Sequence, residues 1–295
     1  MKNKEFKRIR LRRSGLKDDD EGVATTVGTI MALLVFLSLL SLITQQYVPV
    51  WMEDKEAYHM DEVMVQFSYL KGNIDNLVMN DFTDYPLYST FKLGSEGVPL
   101  FASSSPGIMR ARPGGGEFNL YFNSSDYDEP LDFSASGNVS LEVMNRYFEE
   151  QKIVYEYGAI LLEQGGSEDS LVRANPPIDI QNKSGSYYLN VNLVDIRGEQ
   201  RNIGGTGSVG VTTELLGTFR STFQDRNESQ ISNTTISLNT YYPSAWKGWL
   251  LNETDLKSKE ITVSGNRITV DLSRAYMDIE EIKVTLATVD MTISV

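Results

Sequence analysis

The sequence has no cysteine and a single histidine, His59, among its 295 residues. The first absence excludes a disulfide-stapled scaffold, cysteine-ligated zinc and iron–sulfur clusters. The shortage of imidazole removes Cys–His and Ser–His–Asp chemistry unless His59 alone supplies it. Charge is also missing in one place: residues 22–52 carry none, whereas residues 1–21 hold eight basic and five acidic side chains, a net of +3. With −13 for the whole chain, residues 53–295 carry −16, an acidic and self-repelling body. Such a body lacks the basic face that neutralises phosphates, so nucleic acid is not an expected partner.

The uncharged stretch contains the apolar run VGTIMALLVFLSLLSLI at 27–43. Taken as residues 23–44 it would form a helix roughly 33 Å long, enough to cross a hydrocarbon core of about 30 Å. Tyr47 and Trp51 follow it, where aromatic rings anchor at a lipid–water boundary. The basic cluster before the run and the acidic start after it, Glu53 and Asp54, orient the span with residues 1–21 cytoplasmic and the large C-terminal part outside. A cleaved secretory signal is the competing reading. The run exceeds the usual apolar core of about 7 to 15 residues, and no small-x-small site follows at Gln45, Gln46 and Tyr47. The bilayer is therefore the first expected partner.

Helical periodicity continues past the span. Apolar residues at 63, 67, 70, 74 and 77 alternate spacings of four and three, the stripe of an amphipathic helix over 53–80. The stripe either packs on the protein's own β-rich part or forms a seam with a second copy or a partner helix. Pro49 is expected to kink the joint between span and stalk.

Residues 81–295 change texture, with short alternating or aromatic-rich runs between Gly, Pro, Ser, Asn and Thr turns. Strands are predicted at 89–93, 118–122, 139–143, 153–157, 187–194, 209–213, 234–238, 261–263, 268–272 and 282–295, with a short helix at 243–251. A hairpin is expected where two ITV segments flank Ser264, Gly265, Asn266 and Arg267. The fold class is α+β: a long N-terminal transmembrane and stalk helix followed by a mainly antiparallel, β-sandwich-like extracellular domain. A subdivision is conceivable near 165–177, and no fixed-period repeat is evident.

Catalytic signals are weak. Gly205-Thr-Gly207-Ser-Val-Gly210 matches GxGxxG, but it leads into a strand-like segment where a dinucleotide cradle needs a helix. Asp126, Asp128 and Glu129 lack the ligand spacing of a calcium loop. Glu149 and Glu163 would matter as a carboxylate pair only if the fold joined them. His59 falls eight residues past Trp51 and reads as an interfacial helix residue. No catalytic residue, metal or cofactor is expected. The positive signal is N-x-S/T, which occurs at Asn123, Asn138, Asn182, Asn227, Asn233 and Asn252, all on the side placed outside.

The segment EGVATTVGTIMALL at 21–34 resembles the N-terminal signature of archaeal type IV pilin-like proteins, with ATTVG at 24–28 in place of their Ser-Pro-Val-Val-Gly-like stretch. Residues 51–77, 154–165 and 241–250 are similar to archaeal surface proteins of the same architecture. The resemblance implies cleavage by a class III signal peptidase between Gly22 and Val23, and a pilus or pseudopilus subunit as the product. Thr26 and Val27 stand near where many type IV pilins carry a glutamate. The other function class is a permanently anchored envelope glycoprotein that binds envelope components or a partner protein.

Overall fold

The computed structural model describes residues 17–165, 170–225, 231–273 and 278–295, with side chains from residue 22 onward. The chain divides into two units, the first ending at Val50 and the second running Trp51–Val295.

In the first unit, α1 (Lys17–Leu42) gives way to a π turn, Ile43–Tyr47, before α2 (Val48–Asn80) begins. The irregularity falls just before Pro49, which stands in the first turn of α2. The Val48 N–H reaches back to the Ile43 carbonyl, five residues earlier. A widened turn there eases the crowding that a proline ring imposes on the preceding turn. Hydroxyls of Thr26, Thr29 and Ser38 along α1 bond back to the helix, as from Ser38 to Val35 O at 2.8 Å, which satisfies these donors where an apolar medium would not.

The second unit holds fourteen strands among the described residues. One sheet is built from β1 (Leu87–Lys92), β7 (Ile178–Lys183), β8 (Ser186–Arg197), β10 (Ser208–Gln224) and β14 (Asp278–Ser294), in the order β1-β10-β14-β8-β7. The other holds β2 (Gly107–Ser124), β3 (Leu131–Val143), β4 (Gln151–Glu156), β5 (Ala159–Gln164), β6 (Ser170–Ala174), β11 (Ile231–Asn239), β12 (Ile261–Ser264) and β13 (Arg267–Asp271). Its order is β12-β13-β11-β2-β3-β4-β5-β6, and β9 (Arg201–Gly205) pairs with β2. Only β8 and β14 run parallel; the other ladders among the described residues are antiparallel. The β12–β13 hairpin forms as expected, with Ser264 opposite Arg267 and Gly265 at φ 58 in the two-residue turn. The expected short helix is α3 (Pro243–Glu253), opened by a proline whose missing N–H is no loss at a helix start.

Two apolar cores result. The first gathers Phe118, Leu120 and Phe122 of β2, Leu189 and Val191 of β8, and Trp246 and Trp249 of α3. The second is closed by α2, whose Val63, Phe67, Leu70, Ile74 and Leu77 are fully buried against residues that include Phe91, Leu141, Val211 and Val289. At about 1.5–3 kcal/mol per buried side chain, the stripe is a principal stabiliser of the domain. Residues 53–80 are thus a wall of the β-domain and not a separate stalk, and the apolar seam is occupied by the protein's own strands. Strands β4 and β5 bury both faces: Val154 and Leu161 point into the first core, Tyr155 and Ile160 into the second. That explains their unbroken apolar runs.

The segment 165–177 is not a domain boundary. Leu161 pairs with Val172 across β5 and β6, and the chain then passes to the other sheet at Pro176 and Pro177 before β7. Residues 166–169 within it lie outside the described set.

Candidate functional site

The first candidate is the apolar helix. One helical run, Gly22–Asn80, is long and apolar enough near its start to cross a membrane, and the qualifying window has no buried residue. Its large side chains, from Val23 at 62% to Leu42 at 43%, are exposed, apart from the half-buried Leu40. A continuous apolar surface of that kind marks contact with lipid or with other helices. Gly22 and Val23, the expected cleavage position, are both exposed there.

The sequons divide by accessibility. Asn233 is exposed on a bulge of β11 at φ 55, and Asn252 is exposed at the end of α3. Asn123 and Asn182 are half-buried, and Asn227 lies outside the described residues. Asn138 must be withdrawn as a glycan acceptor. It is 4% exposed and its Nδ2, the atom a glycan would join, donates to the Gly115 carbonyl at 3.2 Å.

Two polar side chains of α2 are buried, contrary to the expectation of an interfacial histidine. His59 is 2% exposed, with Nε2 2.9 Å from the Lys92 carbonyl, so this nitrogen carries the hydrogen. Desolvation lowers its pKa, outweighing the hydrogen bond to the Lys92 carbonyl, which favours the charged ring. Glu56 accepts from Ser105 Oγ at 2.5 Å and from the backbone N–H groups of Arg146, Tyr147 and Phe148 at 3.1, 2.8 and 2.8 Å. Burial raises its pKa, but these donors outweigh burial and hold it below the ordinary carboxylate value. Three successive amides turned onto one carboxylate form an anion nest, and here the helix itself fills it.

The second candidate lies at the β4–β5 hairpin. Glu156 pairs with Ala159, so the turn is Tyr157 at φ 49 and Gly158 at φ 81, a geometry that the tight hairpin requires of both residues. Glu156 has no exposed surface and its Oε2 accepts from Thr240 Oγ1 at 3.0 Å. Burial pushes its carboxyl up to about 8, with Thr240, Trp246 and Tyr157 drawing it the other way. The carboxyl is therefore mostly neutral at pH 7. Trp246 Nε1 faces the carboxyl without reaching hydrogen-bond geometry, and Glu156 Oε1 and Trp246 Nε1 both remain without a partner.

Just outside is a cavity of about 530 Å³ lined by Gly114, Gly116, Glu117, Asn239, Tyr241 and Asn266, together with Ser136 and Thr240. It forms because residues 113–116 of β2 stand opposite the single residue Gly137 of β3 and bow out of the sheet. Ser136 Oγ holds the bow at Pro113 O at 3.1 Å, and Asn138 holds it at Gly115 O. Ser136 is in turn fixed by Asp195, which accepts its backbone N–H at 2.9 Å.

The weaker motifs stay apart. Gly205–Gly210 is the turn from β9 into β10 and no helix follows it. Asp126, Asp128 and Glu129 are exposed between β2 and β3, and no group of three or more His, Asp or Glu side chains among the described residues could hold a metal. Glu163 pairs with Lys152 at 3.5 Å, while Glu149 is exposed in the loop before β4. No family model matches the chain, and no curated protein or solved structure is significantly similar to it.

Proposed function

We propose that this protein is a non-enzymatic, single-pass surface protein of archaeal type IV pilin-like architecture, a subunit of a pilus or pseudopilus. The observation that carries the reading is the helical run itself, which is apolar and exposed from Val23 to Leu42 and then buries its stripe in the β-domain from Val63 to Leu77. A filament subunit needs both properties, a greasy helix to pack among others and a domain to display. The basic residues ahead of the run favour a cytoplasmic N-terminus and an outer β-domain, a side on which the exposed Asn233 and Asn252 would be open to glycosylation. The non-enzymatic reading is supported by His59, locked on a backbone carbonyl, and by Glu156, sealed and neutral.

A second reading, a permanently anchored envelope glycoprotein binding envelope components or a partner protein, is favoured by Val27. It would be the fifth residue after a cut at Gly22, where many type IV pilins have a glutamate. Mass spectrometry of the mature N-terminus separates the two. A start at Val23, with the protein in the sheared filament fraction, supports the subunit. An intact leader, with protein retained in membranes, overturns it in favour of the anchor.

A further inference from the structure

We propose that the cavity beside the β2 bow binds a neutral saccharide, with the Tyr241 ring against a sugar face and Asn239, Asn266 and Glu117 bonding to its hydroxyls. This goes beyond the subunit reading and is independent of it, because the cavity lies wholly in the β-domain whatever the mature N-terminus is.

Four observations carry it. The volume, about 530 Å³, is that of a small-ligand site, a class spanning about 300–1,000 Å³. The lining combines two side-chain amides, one carboxylate, two hydroxyl-bearing residues and an aromatic ring, with no lysine or arginine. Amides and a carboxylate suit a ligand that both donates and accepts at many points, whereas an anionic ligand would need cations and a lipid would need apolar walls. Tyr241 is 55% exposed, a phenol ring turned to solvent beside hydrogen-bonding groups.

The third observation is Gly114. A Cβ there would meet nothing within 4 Å and its φ is not in the left-handed region, so the fold itself does not require glycine at this position. Gly114 is exposed and lines the cavity. Glycine inside a strand commonly marks close approach by a ligand or another backbone. The fourth is the bow itself, tied by two side chains at Pro113 O and Gly115 O. The floor is held in advance by Ser136 and Asn138, which reduces the ordering required on binding.

The test uses the full-length chain in detergent micelles, produced without N-glycans, against immobilised glucose, mannose, galactose and N-acetylglucosamine oligosaccharides with sulfated and sialylated controls. Saturable binding to at least one neutral oligosaccharide is expected. Tyr241→Ala and Gly114→Val should each weaken it by about tenfold or more, the equivalent of losing one or two good contacts, with the melting temperature unchanged. Both positions are exposed, so both variants should fold. The proposal is overturned if no neutral oligosaccharide binds saturably, if both variants bind like the parent, or if binding requires sulfate or sialic acid. None of these outcomes depends on whether the leader is cut.

Discussion

The Glu56 carboxylate on α2 accepts the backbone N–H of Phe148 at 2.8 Å, tying the helix to a loop 92 residues away in sequence. With Arg146, Tyr147 and Ser105 it makes the most concentrated polar contact between α2 and the strands it covers.

Replacing Glu56 by Ala should destabilise the domain by about 3 kcal/mol, because three amides and a hydroxyl lose a charged acceptor inside the protein. The same carboxylate predicts an acid limb. Its folded pKa lies below the unfolded value, so its contribution is complete above about pH 4.3 and is lost as pH falls through the lower folded value. Melting temperatures measured from pH 6 down to 2.5 should fall more steeply for the parent than for Glu56→Ala; parallel profiles would remove Glu56 from the account.

Glu156 works with the opposite sign. Its folded pKa, about 8, is above the unfolded value, so the native state holds a proton that the unfolded chain has released. Each pH unit between about 4.3 and 8 therefore lowers stability by up to about 1.4 kcal/mol, and the loss levels off above 8. Glu156→Gln keeps an acceptor for Thr240 and removes the titration. The variant should gain on the parent steadily from pH 5 to 8 in urea titrations. A constant difference between the two curves would contradict this.

On α2, Phe67 is fully buried, edge-on to Phe91 at 5.0 Å, whereas Tyr69 is 69% exposed. Phe67→Ala should cost about 3–5 kcal/mol and Tyr69→Ala less than about 0.5 kcal/mol. Equal effects in chemical denaturation would mean that the helix does not pack on the sheets through its stripe.

If the chain is glycosylated, glycopeptide mass spectrometry should find glycans at Asn233 and Asn252 and none at Asn138. A glycan on Asn138 would require the β2 bow to open before or after folding, since Nδ2 is bonded to Gly115 O.

Much of this architecture is legible in the sequence where one physical signal dominates. The apolar span, the α2 stripe, the β12–β13 turn and α3 all announce themselves by period, run length or turn chemistry. Each of the ten predicted strand segments overlaps a strand of the structure. Strands β5, β6, β7 and β9 went unseen, as did the glycine-rich half of β2. In β5 the run AILLEQ is buried on both faces and has no alternation to read, while Gly114–Gly116 reads as loop because glycine disfavours strands wherever nothing else is known. The candidate sites were harder still. Nothing local distinguishes Glu56 and His59 from the solvated acids and bases around them on α2; their burial is decided by Ser105, the 146–148 amides and Lys92, all distant in sequence. Asn138 matched its triplet while being claimed by Gly115, and Glu156 is a site only because Thr240 and Trp246 come back to it from beyond β11.

The second core joins Met60–Leu77 on α2 to Ala287, Val289, Met291 and Ile293 on β14. The earliest part of the domain to leave the ribosome therefore finds part of its native surface in almost the last. Until residue 293 is available that face of α2 lacks its β14 partners, so the second core can close fully only once β14 is in place. A protein built this way depends on whatever shields that helix in the interval, and a break late in β14 would disable a helix more than two hundred residues upstream.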